Sequence, residues 1–150
     1  MKKLLCIYCL LCMTALAYAQ NLKFNANVKF KIVQFTDVHY IFNDPRAEVA
    51  IERINEVLNA ENPDLVMFTG DVIYGKPAEK SMRTVLEQVS KRKIPFAVTF
   101  GNHDDEQGLS REKLFEIIEN IPYSLTATTK GISGTTNFIL PVKSSDGQKD

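Results

Sequence analysis

The sequence has 150 residues, of which 45% are hydrophobic and 24% are charged, so its length predicts about one globular domain. Its 18 basic and 18 acidic side chains balance to a formal net charge of zero, which excludes the overall positive field that attracts nucleic acid. The hydrophobic content, with seven glycines and six prolines, excludes collagen-like, low-complexity and wholly disordered classes.

The first 19 residues have the features of a secretory signal peptide. Lys2 and Lys3 precede an apolar run from Leu4 to Ala17, and a small residue at Ala17 and at Ala19 forms a signal-peptidase site. We therefore expect cleavage after Ala19 and a secreted or periplasmic protein with no stable membrane anchor. An uncleaved anchor is the alternative, although the run is shorter than the roughly 20 residues of a spanning helix.

The three cysteines all lie inside this signal segment, at Cys6, Cys9 and Cys12. An iron–sulfur cluster needs a fourth cysteine ligand, which the sequence does not contain. The mature chain is thus expected to have no disulfide bond and no thiol chemistry.

After the signal segment, strand-length apolar runs alternate with helical patterns. Strands are predicted at 29–36, 64–69, 95–100, 123–128 and 136–142, and helices at 47–60, 78–90 and 110–120, with Ser110 as the cap of the last helix. Strands that alternate with helices predict βαβ units and a mostly parallel sheet. In such sheets ligands bind beyond the carboxyl ends of the strands.

Polar residues with metal-binding or acid–base chemistry follow each of the first three predicted strands. Asp37 and His39 are two residues apart, so an extended backbone directs both side chains to one side, where they suit a divalent metal. Asp71 follows the second strand. The sequence therefore predicts a metal site at this edge.

A nucleotide-binding domain is disfavoured because no glycine-rich phosphate loop follows the first strand.

The segment after the third strand adds further candidates. Asn102 offers a neutral amide oxygen to a second metal, and His103 is a candidate general acid whose imidazole Asp104 could orient. His39 and His103 are the only histidines of the sequence.

These motifs, in the segments QFTDVHY, DLVMFTGDVIYG and PFAVTFGNHDDE, resemble the first three motifs of the calcineurin-like metallophosphoesterases over residues 29 to 142. The surrounding sequence is similar to the short purple-acid-phosphatase-like branch of that superfamily. The resemblance implies an α/β fold, the amino-terminal half of a β-sandwich flanked by helices. It also implies a dinuclear site of Fe, Mn or Zn that hydrolyses phosphate monoesters or diesters through a metal-activated hydroxide.

The resemblance assigns a role to each motif residue. It implies that Asp37 and His39 bind the first metal, that Asp71 bridges both metals and that Asn102 binds the second. It places His103 near the leaving-group oxygen, with Asp104 supporting it. Tyr74 echoes a tyrosine that binds iron in purple acid phosphatases, so it is either a metal ligand or a packing residue.

The family pattern includes three more histidines, and this sequence has none after His103. We therefore expect residues 20–150 to be a phosphoesterase domain that is incomplete at its C-terminus. The alternative is a non-catalytic fragment or remnant. The flanking loops at 40–46 and 105–111 are candidates for substrate selection, but the sequence leaves the substrate, the metal and the oligomeric state open.

Overall fold

The computed structural model describes residues 22–148, so the predicted signal peptide lies outside the described residues. Its centre is a parallel sheet of three strands in the order β1 (Ile32–Phe35), β2 (Leu65–Thr69) and β3 (Phe96–Thr99). The predicted α/β class with a parallel sheet is confirmed, as is expected for the amino-terminal part of a calcineurin-like fold.

Helices follow the strands where the apolar spacing predicts them. They are α1 (Glu48–Glu61) after β1, α2 (Ala78–Ser90) after β2 and α3 (Arg111–Glu119) after β3, with a 3₁₀ turn (Asp104–Gln107) before the last. Helix α1 ends at Glu61, and the cap residue Asn62 donates its N–H to the Leu58 carbonyl and has a left-handed backbone (φ 44°) that turns the chain out of the helix. Helix α3 begins after Ser110, whose hydroxyl accepts a hydrogen bond from the Lys113 N–H at 3.4 Å. The predicted cap is therefore confirmed.

The hydrophobic core lies between the sheet and the helices. Alternate residues of the central strand, Val66 and Phe68, are fully buried and pack into one cluster with side chains from all three helices. The apolar side chains of α2 form its inner face, and four of them have no solvent exposure: Met82, Val85, Leu86 and Val89. Each such buried side chain contributes roughly 1.5–3 kcal/mol. This core fixes the strand ends that carry the site.

The predicted strands at 123–128 and 136–142 are wrong: in the described residues 22–148 the first segment forms one isolated bridge, between Ser124 and Phe96, and the second forms none. Leu125 donates its N–H to the Phe96 carbonyl, but the next ladder position is taken by the Thr126 hydroxyl, which accepts from the Val98 N–H. A side chain thus replaces the backbone partner and ends the pairing. In the second segment Ile139 is 90% exposed, so its large apolar side chain does not stabilise a strand there.

Within residues 22–148, the structure has no helix that is both long enough and apolar enough to cross a membrane.

Candidate metal centre

The chain segments that follow β1 and β2 run side by side beyond the end of the sheet. The Asp37 N–H donates to the Gly70 carbonyl at 3.1 Å, and the His39 N–H donates to the Asp71 carbonyl at 2.9 Å. These hydrogen bonds extend the parallel pairing past the strands. They place Asp37 and His39 beside Asp71 at the carboxyl edge, where the sequence predicts the site.

Three of the predicted ligands form one cluster. One ligand atom from each of Asp37, His39 and Asp71 lies within 4.8 Å of the others. His39 Nε2 is 3.8 Å from Asp37 Oδ1 and 3.8 Å from Asp71 Oδ2, which is too long for hydrogen bonds. Ligands about 2.0–2.2 Å from a shared cation are spaced by a similar distance. Oxygen and nitrogen donors in this arrangement fit a first-row divalent metal.

The backbone at all three ligands adopts the left-handed conformation, with φ of 52° at Asp37, 50° at His39 and 51° at Asp71. Asp and His tolerate this region better than most residues, but each such position still costs about 1–3 kcal/mol. Six other non-glycine residues also have a positive φ, but these three share one cluster, and strained backbone is common at functional sites.

Two glycines permit the close approach of the loops after β2 and β3. A Cβ on Gly70 would lie 2.9 Å from the Gly101 Cα, and a Cβ on Gly101 would lie 2.1 Å from Asp71 Oδ1. Gly70 also has a φ of 108°, which other residues rarely adopt. The Asp71 carboxylate therefore rests directly against the Gly101 backbone.

Asp104 has a different set of contacts from the one that the sequence predicts. Its buried carboxylate accepts four backbone hydrogen bonds of 2.8 to 3.1 Å, from the N–H groups of Asp71, Val72, Ile73 and Gly101. Burial raises the pKa of the Asp104 carboxyl, and these N–H donors act in the opposite direction. Both oxygens of Asp104 thus hold the two ligand loops together.

The carboxylate at the His103 imidazole is instead that of Glu106, with Oε2 at 2.6 Å from Nδ1. The hydrogen bond to Glu106 raises the pKa of His103, whereas partial burial lowers it. The backbone N–H of His103 donates to Asp71 Oδ1 at 2.8 Å. Sequence reasoning missed Glu106, although its i,i+3 spacing from His103 in an acidic run is a usable signal.

The Tyr74 ring lies beside the imidazoles of His39 and His103. Its ring centroid is 5.3 Å from that of His39 and 5.0 Å from that of His103, the latter edge-on. The two imidazoles are themselves 5.6 Å apart. The half-exposed Tyr74 ring therefore packs against both histidines.

Asn102 is exposed on the loop after β3, and its side chain makes no hydrogen bond within the described part of the chain. Its neighbour His103 donates a backbone hydrogen bond to Asp71 Oδ1, so Asn102 lies on a loop that contacts the Asp37–His39–Asp71 cluster. The loop itself is braced by Arg111, which donates to the Gly101 carbonyl at 2.7 Å. Arg111 is a second residue that sequence reasoning missed.

The fold and the site together define an α/β protein with a metal-ligating cluster at the carboxyl edge of a parallel sheet. The chain belongs to the calcineurin-like phosphoesterases, a family of hydrolases whose model matches residues 30–141. The resemblance drawn from the three motifs is confirmed.

Several curated proteins are similar to this chain. Phosphatase DCR2 of Saccharomyces cerevisiae is 36% identical over 153 residues, covering 85% of this chain and 26% of the relative. Probable inactive purple acid phosphatase 29 of Arabidopsis thaliana is 32% identical over 135 residues, covering 79% and 35%. Uncharacterized metallophosphoesterase YkuE of Bacillus subtilis is 34% identical over 77 residues, covering 50% and 26%. The chain thus spans about a quarter to a third of the length of these relatives.

Proposed function

We propose that this protein is a secreted, metal-dependent phosphoesterase that hydrolyses phosphate monoesters or diesters at a dinuclear centre. The observation that carries the proposal is the convergence of Asp37, His39 and Asp71 at one sheet edge in a member of the calcineurin-like family. The balanced net charge is compatible with this function, because bound cations rather than a basic surface meet the charge of the phosphate.

In this proposal Asp37, His39 and Asp71 hold the first ion, and Asp71 and Asn102 hold the second. Fe, Mn or Zn ions, when bound, supply the positive charge that polarises the phosphoryl group and the hydroxide that attacks it near neutral pH. The ordered position of Asp71 supports its bridging role. Oδ1 is fixed by the His103 N–H, and Oδ2 faces His39.

His103 is the proposed donor of a proton to the leaving-group oxygen. Its ring lies 5.6 Å from the ring of the ligand His39, so a substrate at the cluster is within its reach. In this proposal Asp104 does not touch the substrate. It holds together the loops that carry Asp71 and Gly101, because its carboxylate accepts hydrogen bonds from both backbone N–H groups.

An activity assay tests the proposal. Purified full-length protein, supplied with Mn²⁺, Zn²⁺ or Fe²⁺, is expected to hydrolyse 4-nitrophenyl phosphate or its bis ester. Asp71→Asn removes the shared ligand and should lower the rate by more than about 100-fold. Asp105→Asn is the matched control, since this exposed carboxylate pairs with Arg111 outside the cluster. Turnover that survives Asp71→Asn would contradict the proposal.

A second candidate is a protein that binds metal without turnover. It is favoured by the name of the relative called probable inactive purple acid phosphatase 29. The same preparation separates the two candidates. Bound metal in the wild-type protein with no hydrolysis of either ester would support the second.

Secretion is proposed from residues 1–19. Protein recovered from the culture medium or the periplasm should have a mass that corresponds to a chain beginning at Gln20. A protein that retains Met1 and stays with the cell membrane would support an uncleaved anchor instead.

A further inference from the structure

The His103 imidazole has a carboxylate partner to which the sequence analysis assigns no role. Glu106 lies three residues further on, in the 3₁₀ turn that follows β3, and its Oε2 is 2.6 Å from His103 Nδ1. Asp104 is unavailable for this task because both of its oxygens already accept backbone N–H groups. Glu106 is therefore the carboxylate that orients the ring.

The contact with Glu106 favours one tautomer of the His103 ring. An imidazole with one nitrogen against a carboxylate keeps a proton on that nitrogen, here Nδ1. His103 Nε2 makes no hydrogen bond within residues 22–148, so it is the nitrogen left for substrate. The Tyr74 ring, edge-on at 5.0 Å, further limits rotation of the imidazole.

We propose that Glu106 is a positioning residue that fixes the His103 imidazole through Nδ1 and directs Nε2 to the leaving-group oxygen, an inference that rests on the proposed phosphoesterase function. A water oxygen forms the new bond to phosphorus, and the bond from phosphorus to the leaving oxygen breaks with its electron pair on that oxygen. The leaving oxygen takes the proton from Nε2, while Nδ1 keeps its proton toward Glu106. The spare proton of the attacking water passes to solvent, and Nε2 regains a proton from solvent.

The substitution Glu106→Gln tests this role, because the Glu106 side chain is 54% exposed and its loss should leave the fold intact. Glu116→Gln is a close control. Glu116 also forms an ion pair with a basic residue three positions away, Lys113, and its side chain is likewise 54% exposed. It lies on α3 and makes no hydrogen bond or ion pair with His103 within residues 22–148, so its substitution should not affect the imidazole. Both variants are compared with wild type on two monoesters, phenyl phosphate and 4-nitrophenyl phosphate.

The two esters differ in how much their leaving groups need a proton. Phenolate is the more basic and depends on protonation, whereas 4-nitrophenolate leaves without it. Glu106→Gln should lower kcat on phenyl phosphate by roughly 10-fold with KM unchanged and should lower it far less on 4-nitrophenyl phosphate. His103→Asn should show the same pattern more strongly, and Glu106→Asp should restore part of the loss. Equal loss on both esters, or none, would overturn the proposal.

A second measurement stands without catalysis and separates this proposal from the proposed function. The ¹⁵N shifts of the His103 ring, assigned by their loss in His103→Asn, report its tautomer in metal-free protein at alkaline pH. We expect the Nδ1–H form in wild type and in Glu116→Gln, and a shift toward the Nε2–H form in Glu106→Gln. An unchanged tautomer in Glu106→Gln would overturn the positioning role, whereas the expected shift in an inactive wild type would overturn only the phosphoesterase assignment.

Discussion

The backbone N–H of His103 donates a 2.8 Å hydrogen bond to Asp71 Oδ1, which joins the loops that follow β2 and β3. The proposed general acid, His103, and the proposed bridging ligand, Asp71, are therefore held at a fixed distance from each other. The same oxygen lies against the Gly101 backbone, and the Asp104 carboxylate holds both loops from the buried side. The position of Asp71 is consequently determined from three directions.

A side chain at Gly101 should disturb the metal centre directly. The Cβ of Gly101→Ala would lie 2.1 Å from Asp71 Oδ1, so the carboxylate must move. We expect metal affinity, measured by calorimetric titration, to fall roughly 10- to 100-fold. Gly131→Ala is the control. It has open space around its Cβ but a φ of 87°, and it should cost about 1 kcal/mol of stability without changing metal affinity. Equal affinities in both variants would contradict the close contact.

Asp104→Asn should destabilise the metal-free protein. The amide replaces one acceptor oxygen by a donor that faces backbone N–H groups, and buried donors lose their partners. We expect a loss of about 3 kcal/mol in the free energy of unfolding by urea. Asp105→Asn removes the neighbouring exposed carboxylate, whose ion pair with Arg111 is worth about 0–1 kcal/mol. Similar stability of the two variants would refute the anchoring role of Asp104.

Tyr74 should act through its ring and not through its hydroxyl. Tyr74→Phe keeps the contacts with both imidazoles and should leave metal affinity unchanged. Tyr74→Ala removes two ring pairs worth about 0.5–1.5 kcal/mol each, so affinity should fall severalfold. If Tyr74→Phe weakens iron binding as strongly as Asp71→Asn does, and abolishes a tyrosinate-to-Fe(III) absorption band, Tyr74 is a ligand instead.

The loop before α1 should carry an unusually acidic carboxyl. The side-chain hydrogen bonds from Arg46, the shorter at 2.6 Å, lower the pKa of Asp44 from 3.8 to about 2. Since the folded-state pKa is the lower one, the stability from this pair is fully present above pH 3.8 and is lost as the pH falls toward 2. Titration of the Asp44 carboxyl by NMR should show a midpoint near 2 that moves toward 3.8 in Arg46→Gln. An unmoved midpoint would contradict this.

The sheet, the helices and the placement of the ligand residues could be predicted because their signals are local. The apolar spacing of residues 78–90 predicts α2, and its inner face is buried. Three successive parallel strands place their carboxyl ends, and the residues that follow them, at one edge of the sheet. Apolar spacing does not by itself determine burial, since Val49 of α1 is 51% exposed. Whether such a residue is covered depends on what packs against it, which the local pattern does not contain.

Contacts between loops were beyond prediction from the sequence. Asp104 was expected to orient its neighbour His103, but adjacency along a chain does not determine direction. The turn places the Asp104 side chain inward and brings Glu106 to the imidazole. The prediction of a strand at 123–128 was wrong for a similar reason, because the Thr126 hydroxyl takes the place of a backbone hydrogen-bond acceptor.

A metal titration tests most directly whether Asp37, His39 and Asp71 form a metal centre. Mn²⁺ or Zn²⁺ is titrated into metal-free full-length protein, wild type and the variants Asp37→Asn, His39→Asn and Asp71→Asn, with Asp105→Asn as the control. We expect each of the three cluster variants to bind at least about 10-fold more weakly than wild type and the control to bind normally. Unchanged affinity in all three would show that Asp37, His39 and Asp71 do not form the metal centre.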